Sequence, residues 1–100
     1  MERANVIALI IAAVEEQTGA AGPPVEESTP LFGDQGWLDS MGLVGVVLDV
    51  EAEVAARTGL PVALMDDRAM SQGRSPFRSV EAFGDYVMSL LAELRAAPAG

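Results

Sequence analysis

One hundred residues carry fifteen acidic side chains against six arginines, a net charge of −9. Such a surface repels a phosphate backbone and excludes nucleic-acid binding as the main function. The absence of cysteine and histidine excludes disulfides, thiolate nucleophiles, zinc sites built on those ligands, and every triad that needs an imidazole base.

A chain of this length has room for one core, burying roughly 65% of the surface its unfolded form would expose. Half of the residues are apolar, but only five are aromatic. A composition led by Ala, Val and Leu suits close-packed helices, so the expectation is a single all-α domain over residues 1–100. The acidic pairs Glu15-Glu16, Glu26-Glu27 and Asp66-Asp67 are adjacent, which on a helix aims their carboxylates in different directions. They read as surface charge, and the chain reads as something other than an enzyme. No basic residue occurs between Arg3 and Arg57, while nine acids fall in that interval. The field there is negative unless the later arginines fold back over it, and it favours basic partners.

Val6, Leu9, Ile10, Ala13 and Val14 recur at helical intervals and predict a first helix over about 4–17. The apolar run 6–14 is far shorter than the roughly 20 residues that span a bilayer, and the preceding Met-Glu-Arg-Ala-Asn lacks the positive start of a signal peptide. A cytoplasmic protein is expected. Thr18-Gly19 ends the helix, and the prolines and glycines that follow allow neither helix nor strand before Asp39. Loops of about 20 residues in small domains tend to be either functional or disordered. Leu31, Phe32, Trp37 and Leu38 in its second half are expected to pin it to the bundle.

A second helix is predicted over 40–57, stopped by Gly59 as the left-handed residue and by Pro61. Leu43, Val47, Val50 and Val54 mark its core stripe, and Val44 and Leu48 are expected to widen it. Asp49 and Glu53, four apart, share another face. A short third helix is expected over 66–71, capped by Asp66, and a last helix over 79–95, capped by Ser79, with Val80, Phe83, Val87, Leu90, Leu91 and Leu94 buried. Phe77 is expected in the core, and the tail 96–100 is expected to be flexible. The result is three main helices, one short third helix and a long first loop.

Asp39-Ser40 immediately before a hydrophobic helix is first of all a cap, since either side chain can accept from the free amides of the first turn. The same amides and the helix dipole make Ser40 a favourable place to attach an anion. Gly36-Trp37-Leu38-Asp39-Ser40-Met41, opening a helix that continues through Leu43-Val44 and Val47-Leu48 to Glu51, resembles the Asp-Ser-Leu/Met signature of acyl and peptidyl carrier proteins. The four-helix order of nearly the whole chain resembles that family as well.

The resemblance implies a four-helix bundle of the acyl carrier protein type and a carrier role. A phosphopantetheinyl transferase would use coenzyme A and magnesium to esterify Ser40 with 4′-phosphopantetheine, whose thiol then holds an acyl or aminoacyl group as a thioester. Asp39 would help the transferase and its metal recognise the site. A chain without cysteine can thus run thiol chemistry on a borrowed group. Partners of the family include adenylating ligases, acyltransferases, ketosynthases and tailoring enzymes, which dock around the second and third helices; Asp66 and Asp67 fall in that region. The stretch 66–78 resembles freestanding carriers of polyketide and nonribosomal-peptide pathways more than the carrier of primary fatty-acid synthesis, which remains the alternative.

The chain departs from the pattern at Gly42 and Gly45, where many carriers place acidic or polar residues. Helix-interior glycine costs about 1 kcal/mol relative to alanine. Two explanations stand: a smooth surface on which partners dock through Met41 and Val46 with charge from Asp49 and Glu53, or close helix packing. A reading of another class is a small acidic helical adaptor in which Asp39-Ser40 is a cap and nothing more. The residues identify neither cargo nor pathway, and nothing in them demands more than a monomer.

Overall fold

Helical spacing places the helices observed, and side-chain caps start the second and the last of them, while the first begins without one. The computed structural model describes residues 1–19, 24–33, 36–64 and 76–96. Within them lie α1, Arg3–Thr18, α2, Ser40–Thr58, and α3, Val80–Ala96, each within a residue or two of its expected bounds. Among the described residues the protein is helical, with a single isolated antiparallel bridge between Pro30 and Ser79. The expected short helix 66–71, and with it the four-helix count, lies outside the described residues, as do residues 97–100 of the tail. No helix among the described residues is long and apolar enough to cross a membrane.

The end of α2 follows from its sequence. Gly59 adopts φ +71°, a left-handed conformation that residues with a side chain rarely adopt, and its amide donates to Ala55 O. Arg57 sits in the last turn, where a cation meets the negative end of the helix. At the start of α3, Ser79 Oγ accepts from Ala82 N at 3.1 Å, the expected cap.

Helix α1 packs against both α2 and α3, whereas α2 and α3 make no close backbone approach to each other among the described residues. Val6, Ile10 and Val14 of α1 are fully buried. They join Val46, Val47, Val50 and Val54 of α2 and Val80, Phe83, Val87 and Leu91 of α3 in one cluster. Phe77 meets Phe83 and Tyr86 edge-on, with centroids 5.3 and 6.2 Å away, in the core position expected of it.

The loop before α2 is fastened by backbone hydrogen bonds. Val80 N donates to Thr29 O, Glu81 N to Glu27 O, and Leu31 N to Arg78 O, which ties the loop to the entry of α3. Trp37 N then donates to Pro30 O and Leu38 N to Leu31 O, folding the residues before α2 back onto the same strip. Gly36 permits that fold: a Cβ there would lie 2.6 Å from Phe32 Cα and 2.7 Å from Leu31 O. The four loop anchors divide. Leu31 and Leu38 are buried, but Phe32 and Trp37 are 40% and 37% exposed. The turn that inserts two leucines has no second inward face for the aromatic rings beside them.

Arg3 adds a surface clamp, donating to Asp85 Oδ1 and Glu27 Oε1, each at 2.9 Å. These bonds, Asp85 foremost, hold its guanidinium above its ordinary value. An arginine is charged throughout the working pH range with or without such partners.

Candidate functional site

The question left open by the sequence was which of Asp39 and Ser40 caps α2. Asp39 does. It is the extended residue before the helix, with φ −83° and ψ −178°, and its Oδ1 accepts from Gly42 N at 2.7 Å. Its carbonyl accepts the first intrahelical bond, from Leu43 N at 2.9 Å. Ser40 is therefore released from capping. As the first residue of the helix it is exposed, and its hydroxyl has no hydrogen-bond partner among the described residues. The amides of Ser40 and Met41 also have none there, which is the general condition of a helix start. An unengaged alcohol thus stands at the positive end of a 19-residue helix.

Arg57 does not reach this end: it lies about 25 Å along the helix and is paired with Glu53 at 3.3 Å. Arg3 is held by Glu27 and Asp85. Arg68 and Arg74 lie outside the described residues. The negative field expected around Ser40 is thus relieved by neither Arg3 nor Arg57.

The outward face of α2 differs from expectation in a specific way. Met41 is 84% exposed, as required of a docking residue, but Val46 is fully buried. Position 46 is three residues after Leu43 and four before Val50, which places it in the core seam. Conversely, Val44 and Leu48, expected to widen the core, are 40% and 54% exposed. With Met41 they follow a three- and four-residue spacing and form an outward apolar stripe. Contrary to expectation, Val46 belongs inside, and Val44 and Leu48 outside. Trp37 and Phe32, on the loop leading into the helix, are the other large apolar side chains left in water among the described residues.

Asp49 and Glu53 are exposed, but they lie roughly 100° or more round the helix from that stripe. They face α1 across a groove shared with Leu9, Glu16 and Arg57. Met41 is thereby separated from the two acids with which it was grouped. Asp66 and Asp67 lie outside the described residues. Glu51 has a role that its charge did not reveal: its Oε2 accepts from Leu64 N at 3.0 Å, fastening the chain beyond α2 to the helix.

The two unusual glycines both face inward structure. A Cβ on Gly42 would approach Asp39 Oδ1 to 3.2 Å, so the missing side chain gives the capping carboxylate room. At Gly45 a Cβ would lie 2.5 Å from Gln17 Nε2, because the Gln17 amide at the end of α1 rests on α2 at that point. Of the two explanations, close helix packing describes Gly45, against the Gln17 side chain of α1, while Gly42 faces its own cap, Asp39 and Leu38.

No protein-family model matches the chain, and neither a curated protein nor a solved structure matches it. Among the described residues no group of three or more acidic side chains is placed to hold a metal ion.

Proposed function

We propose that this protein is a discrete acyl or aminoacyl carrier, with Ser40 as the attachment point of a 4′-phosphopantetheine arm. The observation that carries the proposal is the division of labour at the start of α2. Asp39 takes the capping role, so the adjacent alcohol is exposed and unengaged. The fit to a phosphodiester is chemical as well as spatial: the unpartnered amides of Ser40 and Met41 and the positive helix end offset a new negative charge.

In loading, Ser40 Oγ forms a bond to the pantetheine-bearing phosphorus of coenzyme A. The pyrophosphate P–O bond breaks, the adenosine bisphosphate half leaves, and the hydroxyl proton passes to a base of the transferase. The chain offers no imidazole base for this, so activation belongs to the transferase and its magnesium. Asp39 is the residue next to the alcohol, with one carboxylate oxygen on Gly42 N, and its carboxylate would help the transferase and its metal recognise the site. The attached arm supplies a terminal thiol that carries cargo as a thioester. Met41, Val44 and Leu48 form the surface against which adenylating ligases, acyltransferases, ketosynthases or tailoring enzymes dock, and the net negative charge of the chain draws partners with basic faces. Glycine at 42 and 45, in place of early acids, favours secondary metabolism over primary fatty-acid synthesis.

Incubation with coenzyme A, magnesium and a broad-specificity transferase tests the proposal by intact mass. A gain of one phosphopantetheine, lost in Ser40→Ala, supports a carrier. No gain leaves the helical adaptor.

A further inference from the structure

Asp39 and Met41, the chain neighbours of Ser40, border a groove that no sequence pattern announced and that Ser40 itself does not line. It runs between the C-terminal end of α1 and the chain entering α2, and Gln17, Thr18, Trp37, Asp39, Met41 and Gly42 line it. We infer that this groove seats the pantetheine arm carried on Ser40, so that the arm lies against α1 and Trp37 when the protein is not engaged with a partner. The inference rests on the carrier proposal.

Its physical basis is the match between lining and occupant. A pantetheine arm is uncharged beyond its phosphate and alternates amides with short saturated segments. The groove offers the Gln17 amide and Thr18 hydroxyl beside the indole of Trp37 and the side chain of Met41. Asp39 is the one charged residue in its lining, and that carboxylate is engaged with Gly42 N. The other grooves differ. The one between α1 and α2 carries Glu16, Asp49, Glu53 and Arg57, and the one along α3 carries Arg78, Asp85 and Glu93. Of these three grooves among the described residues, the one at Asp39 and Met41 carries the least charge, and it starts at the residues flanking Ser40.

The glycines fit the same account. Gly42 contributes no side chain to the groove, and at Gly45 the absence of a Cβ leaves space for the Gln17 amide. Trp37 and Met41 are apolar side chains left in water, and an arm laid across them removes that surface from solvent.

Trp37 is the sole tryptophan, so the full chain reports on its own groove. The unloaded and loaded forms, the latter verified by intact mass, are compared by Trp37 emission, acrylamide quenching and backbone amide shifts. Seating predicts a blue shift, reduced quenching, and amide shifts at Gln17 and Thr18, all diminished in the loaded Gln17→Glu variant. Complete loading with shifts confined to Ser40 and its immediate neighbours, and unchanged Trp37 quenching, overturns the seating and leaves the carrier proposal intact. Absence of any mass gain overturns both.

Discussion

Asp39 and Gly42 are joined by a 2.7 Å hydrogen bond from the Gly42 amide to the Asp39 carboxylate. That bond keeps the cap off the neighbouring serine. The cap and the exposed alcohol are therefore separable by mutation. Asp39→Ala should lower unfolding free energy by about 1 kcal/mol, whereas Asp39→Asn retains the acceptor and most of the stability. Ser40→Ala should leave stability within about 0.5 kcal/mol. Urea denaturation measures all three; a Ser40→Ala loss as large as that of Asp39→Ala would show that the serine shares the cap. In the loading assay Asp39→Asn should slow transfer despite its stability, because the carboxylate beside the alcohol is gone.

Val46 and Leu48 make a second pair of opposites. Val46→Ala removes two methyl groups from a fully buried position and should cost about 2 kcal/mol. Leu48→Ala, on the exposed stripe, should cost less than about 0.5 kcal/mol. If the stripe is the docking surface, Leu48→Glu slows delivery to or from a partner while leaving mass-verified loading possible and the midpoint of unfolding nearly unchanged. Equal stability losses for Val46→Ala and Leu48→Ala would reverse the assignment of faces.

Gly45 can take a methyl group only if Gln17 moves. Since the obstructing atoms are the end of a flexible side chain, the double variant Gln17→Ala/Gly45→Ala should recover the propensity cost and gain about 1 kcal/mol in stability. Calorimetry reads this as a rise in Tm; a fall would mean that the glycine serves a contact other than the Gln17 amide.

Gly84 contrasts with it. This glycine of α3 is buried, and a Cβ there would run into Ile7 Cδ1, itself held in the core. Gly84→Ala should therefore destabilise by about 1–2 kcal/mol, overpacking outweighing the gain in helix propensity. Pairing it with Ile7→Val should recover part of the loss, which a double-mutant cycle measures as coupling.

Helix positions and ends were largely legible in the chain, because they depend on neighbours in sequence. Gly59 with Pro61 stopped α2, Ser79 capped α3, and Asp39-Ser40 marked the start of the candidate site, all through local hydrogen bonding and backbone sterics. The face of α2 that looks outward was not legible. Positions 41, 43, 44, 46, 47, 48, 50 and 54 are all apolar, so helical spacing fixes the angles between them but not which arc meets the rest of the protein. That choice belongs to α1, packed against one side of α2, and to Leu31 and Leu38, inserted from the loop. Once they occupy the core, Val46 is drawn in and Val44 and Leu48 are turned out beside Met41. The groove at Ser40 is decided in the same way: Gln17 and Trp37 stand twenty residues apart in the chain, and only the return of the loop across the end of α1 brings them to one site.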